Sequence, residues 1–139
     1  DFKVAVDSAR LGLPEVGIGT LPGWGGTGRL VDAIGISRAK YMVLSGQIID
    51  SKTALEWGLL HHVYAASEIE AGLKTLLAQL EKVGPVAQQI GKQLMSTFEN
   101  KSNAEVLEAF GGALTVTTED LAEGINSFSE KRPPKFKGK

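Results

Sequence analysis

With 139 residues, 42% of them hydrophobic, the chain is long enough for one domain burying roughly two thirds of its unfolded surface, and its composition excludes extended disorder. Its 15 basic and 16 acidic residues nearly cancel, which removes any whole-chain reason to expect a nucleic-acid partner. Cysteine is absent, the only histidines are His61 and His62, and no apolar run approaches about 18 residues, so neither disulfides, a metal site nor a membrane span is expected.

Phe2, Val4 and Val6 alternate as on one face of a half-buried strand over residues 2–6. Residues 9–14 make a second extended piece. There the Pro14 ring fixes its own φ and pushes Leu13 towards extended backbone, so Glu15 leaves the segment in a defined direction. Val16 and Ile18 beside it are apolar, and Gly17 and Gly19 let another segment or a ligand come close to the backbone. Two readings of Glu15 stay open on this pattern: a partly dehydrated carboxylate prepared for proton transfer, or a solvated carboxylate at a loop edge. The run Pro22-Gly-Trp-Gly-Gly-Thr27 does not suit a helix interior, where each glycine is costly. It reads as a loop leading into a helix that begins at Thr27, with free N–H groups at its start. No lysine follows the glycines, and the spacing is not that of a dinucleotide fingerprint. Trp24 is either packed for structure or a wall of a substrate pocket.

Leu30, Val31 and Ile34 recur at helical spacing over residues 27–36, and Gly35 is the stop. Arg29 on this helix reads as a surface side chain. Ser37 is placed to cap a helix over 38–44 that Gly46 ends, and Asp50 or Ser51 to open another over 52–57 that Gly58 ends. Residues 61–64 read as a short strand in which the histidines are structural. Ser67-Glu-Ile-Glu70 predicts a capping box, followed by Ile69, Leu73, Leu76, Leu77 and Leu80 along one face. Pro85 starts the next helix, with Val86, Ile90, Leu94 and Met95 as its packed stripe and Met95 as core filler. Ser102-Asn-Ala-Glu105 predicts a further box, with Val106, Leu107, Phe110 and Leu114 continuing a face. Thr117 or Thr118 caps a last helix whose first turn carries Glu119 and Asp120 and whose buried side carries Leu121, Ile125 and Phe128. Beyond it Lys131, Arg132, Lys135, Lys137 and Lys139 read as a solvated basic tail.

Three blocks carry a family resemblance. The run Ala9-Arg-Leu-Gly-Leu-Pro-Glu-Val-Gly-Ile-Gly-Thr-Leu-Pro-Gly-Trp-Gly-Gly-Thr-Gly-Arg-Leu30 resembles the enoyl-CoA hydratase/isomerase, or crotonase, superfamily. Ala39, Leu44-Ser-Gly46, Ala54 and Trp57-Gly-Leu-Leu-His-His-Val63 fit its next pattern. Thr118-Glu-Asp-Leu-Ala-Glu-Gly124 with Phe128-Ser-Glu-Lys-Arg-Pro-Pro-Lys-Phe-Lys-Gly138 is similar to its C-terminal signature. The resemblance is to the C-terminal half of the family only. It implies an α/β crotonase-like fold, here its C-terminal portion, with short strands followed by a mostly helical trimerisation region. Residues 1–65 then form the C-terminal part of a ββα core with the glutamate loop, and residues 66–139 a helical C-terminal and oligomerisation region.

The same resemblance implies an acyl-CoA substrate and no cofactor beyond the coenzyme A of that thioester. Glu15 is the implied catalytic proton donor and acceptor, Pro22, Gly23 and Trp24 the implied substrate wall. Phe128 and Lys131 are the positions implied to approach the coenzyme A of a neighbouring subunit in a trimer or dimer of trimers. The implied reaction is addition of water across a 2-enoyl-CoA double bond, with double-bond isomerisation or a non-catalytic assembly role as alternatives. The family's oxyanion-hole N–H groups and a hydratase's second glutamate fall before Asp1, so an upstream crotonase polypeptide is the expected partner and the isolated chain is expected to be inactive. The N-terminus has no signal-peptide plan, and the expected setting is cytoplasmic.

Overall fold

The computed structural model describes residues 1–99, 112–113 and 115–137. The capping box expected at residues 102–105 and the apolar face expected from Val106 to Leu114 lie outside the described residues.

Strand β1 (Val4–Val6) and β2 (Arg10–Leu11) come first, and the chain then makes one turn of 3₁₀ helix at Glu15–Ile18. Helices α1 (Gly26–Ile34) and α2 (Ile36–Ser45), strand β3 (Ile49–Asp50), helix α3 (Ser51–Glu56) and strand β4 (His62–Tyr64) follow. Helices α4 (Ile69–Glu81), α5 (Pro85–Glu99) and α6 (Glu119–Ser129) complete the described elements.

The expected plan of short strands followed by a mostly helical trimerisation region is corrected. Strands and helices interleave, because each short strand finds its partner across intervening helices. β1 pairs in parallel with β4, Val4 opposite His62 and Val6 opposite Tyr64. β2 pairs antiparallel with β3, Arg10 opposite Asp50 and Leu11 opposite Ile49. Parallel partners need a long crossover, and α1 to α3 lie within it. Further bonds tie the crossover shut: the Ser51 hydroxyl donates to the Asp7 carbonyl at 2.6 Å, and Lys3 N–H donates to His61 Nδ1 at 3.0 Å.

The core lies between these layers. Leu30 and Ile34 from α1, Ala39, Met42 and Val43 from α2, and Ile49, Ala54 and Leu60 are all buried together. Their spacing on α1 and α2 is the three- and four-residue repeat of a helix face. Glycines in left-handed backbone stop the elements where expected: Gly35 at φ 79° after α1, Gly46 at φ 64° after α2, Gly58 at φ 81° after α3. Ser37 falls inside α2 rather than capping it. Asp50 caps α3, its carboxylate accepting the Thr53 N–H at 2.8 Å, and that bond holds its carboxyl below the ordinary carboxylate range.

Several expectations for the later helices are corrected. The box at Ser67 does not form: Glu68 occupies the N-cap of α4 and no side chain caps it. Leu73 and Leu77 on α4 and Ile90, Leu94 and Met95 on α5 are exposed, so Met95 is not core filler. On α6 the buried residues are Gly124 and Ser127, while Ile125 and Phe128 point outward. A helical period identifies residues that share a face; it does not say that the face is covered within the chain.

Candidate functional site

The Glu15 turn is built by its proline and glycines. Pro14 sits at φ −86°, ψ 12°, so the chain bends there instead of running on extended. Gly17 N–H then donates to the Pro14 carbonyl at 2.8 Å, Gly19 N–H to Val16 at 3.1 Å, and Thr20 N–H to Glu15 at 3.2 Å. Gly19 closes the turn at φ 79°, a conformation in which a side chain is strained. These bonds fix the backbone from which the Glu15 side chain leaves.

Two helices hold the turn from different directions. Val16 packs on the core, and a Cβ placed on Gly46 at the end of α2 would touch Val16 Cγ2 at 3.5 Å. Opposite in chain order, α6 comes back to the same turn and meets it at Ile18 and Gly19, and Thr115, ahead of α6, meets it at Thr20. Thr118 caps α6 by accepting the Leu121 N–H at 3.2 Å, with Glu119 and Asp120 in the first turn as expected.

Glu15 itself is half-buried, and its Oε2 is sealed from solvent with no hydrogen bond from the protein. Of the two readings of this residue, the dehydrated one describes its surroundings. A buried carboxylate oxygen without a donor costs stability, which is why such atoms are uncommon outside functional sites.

The loop after the turn is partly anchored. Pro22 is buried, and an added Cβ on Gly26 would lie 3.4 Å from Pro22 Cβ and 3.5 Å from Leu13 Cδ2, so the loop base closes on the segment leading to Glu15. Gly23 is exposed with open space around it. Trp24 is 98% exposed and holds a left-handed φ of 63°, while its carbonyl accepts from Arg29 Nη1 at 2.9 Å. A bulky residue in that backbone region is a true outlier. Phe128, 77% exposed, and Lys131, at φ 53°, lie at the end of α6 remote from the Gly19 contact, with Lys131 N–H donating to Phe128 O at 3.3 Å. Among the described residues no three His, Asp or Glu gather as a metal set, and no helix is long and apolar enough to cross a membrane.

The tail is not simply solvated. Arg132 forks onto Glu123 at 2.6 and 2.9 Å, Lys135 N–H donates to Glu123 at 2.8 Å, and Lys137 N–H to Asp120 Oδ1 at 2.7 Å. A groove of about 360 Å³ lined by Glu119, Asp120, Glu123, Arg132, Lys135 and Lys137 marks this strap, and it does not include Glu15. The Arg132 guanidinium, then the Lys135 amide, lower the Glu123 carboxyl from 4.5 to about 2, and the same pairing raises Arg132. A depressed carboxyl stabilises the folded form fully above its ordinary value and loses that contribution as pH falls through the folded one. The strap is therefore expected to open between about pH 4.5 and 2, as hydrogen exchange at the Lys135 amide will read. In Glu123→Gln the pH dependence of that protection should disappear, because the group that titrates is gone.

Sequence reasoning missed Gly124, buried in the interior of α6 against the Glu15 turn. The signal was present: a glycine inside a helix is about 1 kcal/mol worse than alanine and needs a packing reason.

An α/β chain whose proline–glycine turn holds one shielded carboxylate between two helices defines the class to which comparison then assigns it. The family model described as enoyl-CoA hydratase/isomerase matches residues 1–139, and the chain belongs to that family. The expectation of a likeness confined to the family's C-terminal half is corrected by this match, which takes in every residue of the chain, the strands and the segments between the motif blocks included. The chain is 38% identical over 147 residues to the 2,3-dehydroadipyl-CoA hydratase of Escherichia coli (strain K12), an alignment that covers 100% of this chain and 55% of that protein. It is 36% identical over 144 residues to the mitochondrial methylglutaconyl-CoA hydratase of Homo sapiens, covering 99% and 42%. The crystal structure of carnitinyl-CoA hydratase from Mycobacterium avium superposes with a TM-score of 0.93 at 27% identity, covering 100% of this chain and 55% of that one. The chain thus spans about half the length of the relatives it matches.

Proposed function

We propose that the protein acts on acyl-CoA thioesters and takes part in adding water across the double bond of a 2-enoyl-CoA, with Glu15 as the proton donor and acceptor. The observation that carries this reading is the Glu15 carboxylate, rigidly held and shielded, with Oε2 unclaimed by the protein. In the forward direction a water oxygen bonds to Cβ, the double-bond electrons move towards Cα and the thioester oxygen, and Cα then takes a proton. Glu15 supplies or accepts that proton on the carbon skeleton. Charge developing on the thioester oxygen needs preorganised N–H donors. The names of the hydratases it resembles support the choice of reaction.

Pro22, Gly23 and Trp24 form the wall over the acyl group in this reading. The exposed indole on strained backbone supports it, since such strain is retained chiefly where a site uses it. Phe128 and Lys131, exposed at the end of α6, approach the coenzyme A held by a neighbouring copy in a trimer or dimer of trimers.

Double-bond isomerisation is the second reading, favoured by one observation: Glu15 Oε2 is the one buried, unpartnered side-chain oxygen or nitrogen among the described residues, and a single carboxylate suffices to move a proton between two carbons. The experiment offers the protein, alone and with a second crotonase polypeptide added, a 2-enoyl-CoA and a 3-enoyl-CoA. Loss of the conjugated thioester absorbance with formation of a 3-hydroxyacyl-CoA is the expected result. Conversion of the 3-enoyl to the 2-enoyl thioester without hydration replaces the first reading by the second. No turnover of either in the supplemented mixture refutes both.

A further inference from the structure

The backbone of α6 and the backbone of the Glu15 turn touch with no side chain between them. A Cβ added to Gly124 would lie 2.1 Å from the Ile18 carbonyl oxygen and 2.4 Å from its carbon. The contact is reciprocal: a Cβ on Gly19 would lie 2.8 Å from the Asp120 carbonyl oxygen. Asp120 and Gly124 are four apart and share one face of the helix, so the turn seats along a single stripe of α6. A third point closes the seam, where the hydroxyls of Thr20 and Thr115 share a hydrogen bond of 2.8 Å. None of these groups carries chemistry of its own, and all of them fall within five residues of Glu15, on the helix behind it or, for Thr115, in the segment leading into that helix.

The opposing atoms at Gly124 are backbone, and backbone cannot rotate away as the end of a flexible side chain can. Any side chain there moves α6 or the turn by about 1 Å or more, a displacement of the size that costs a positioned catalytic group about 10²-fold in rate. On its other side the turn is stopped by Val16 in the core and by the end of α2. We propose that Gly124, with Gly19, is the positioning element of Glu15: the glycine seam clamps the turn against the core and so sets where the carboxylate lies. This rests on the reading of Glu15 as the proton-transfer group.

The test measures kcat and KM for a 2-enoyl-CoA, together with amide exchange at Gly19 and Thr20, in the active assembly. It compares wild type, Glu15→Gln, Gly124→Ala, Thr115→Val and, as a control on α4, Gly72→Ala, whose Cβ would meet the ring of Tyr64 from β4 at 2.4 Å. The seam predicts that Gly124→Ala lowers kcat by about 10²-fold with KM within about threefold, and that the two turn amides exchange faster. Gly72→Ala should leave kcat and those amides as in wild type. If Gly124→Ala does not fold, Thr115→Val decides, with the same signature at smaller amplitude. Near-wild-type kcat in the seam variants beside an inactive Glu15→Gln overturns the seam and leaves the catalytic reading intact. An equal loss in Gly72→Ala also overturns it, because the effect is then general destabilisation. Unchanged kcat in Glu15→Gln overturns the catalytic reading itself, and with it the seam's role in catalysis.

Discussion

Glu15→Gln is expected to lower kcat for the 2-enoyl-CoA by about 10²–10⁴-fold, the range for losing a positioned general acid or base. That loss corresponds to about 2.7–5.5 kcal/mol of transition-state stabilisation. Glutamine keeps the length and planar shape of the side chain, so the turn, its hydrogen bonds from Gly17, Gly19 and Thr20, and the packing of Val16 are all preserved. What disappears is the carboxyl group that can give up and take back a proton. KM should move little, because the proton passes only in the transition state and an interaction made only there shows in kcat. Exchange of the Cα proton with deuterated water should stop in parallel. A variant that still exchanges that proton at the wild-type rate would assign the transfer to another group. Glu15→Asp makes a second comparison: it retains the acid but withdraws it by one methylene, so a loss approaching that of glutamine would show that position matters as much as acidity.

What could be read from the sequence was local. Gly35, Gly46 and Gly58 end elements because each needs left-handed backbone within its own turn, and Asp50 caps α3 through the amide three residues on. Both rules operate within about four residues and need no knowledge of the rest of the chain. The motif around Glu15 was legible for the same reason, although the bend at Pro14 was not, since proline fixes φ and leaves ψ to be decided by the bonds that follow. Strand β3 escaped notice because it is two residues long and exists only through pairing with Arg10 and Leu11. The apolar faces of α4 and α5 had the right period, yet Leu77, Ile90 and Leu94 face outward here. The tail read as solvated because Glu123 and Arg132 are nine residues apart and meet only once the chain has turned past the end of α6. Gly124 lies beyond local reasoning in the same way, since its partner is Ile18.

Met42→Ala is expected to remove about 2–5 kcal/mol of stability, because the side chain is 1% exposed and the space it leaves is walled by neighbours that relax only partly. In a fold whose whole stability is of order 5–15 kcal/mol, that is a large share. Urea unfolding should show a midpoint lower by about 1 M or more with an unchanged slope, given typical slopes of about 1–3 kcal/mol/M. Leu44→Ala, two residues further along the same helix but on its exposed side, should fall within about 0.5 kcal/mol of wild type. The pair isolates burial from helix propensity, since Leu and Met are nearly equal in that respect. Met42 also separates stability from positioning. Its carbonyl accepts the Gln47 N–H at 3.0 Å just past Gly46, where α2 supports Val16, so its contribution to the Glu15 turn passes through the core rather than through the glycine seam. Well below its melting temperature Met42→Ala should therefore keep most of its kcat while losing stability, the reverse of what Gly124→Ala should do. Similar losses of kcat in the two variants would mean that the core, and not α6, sets the position of the carboxylate.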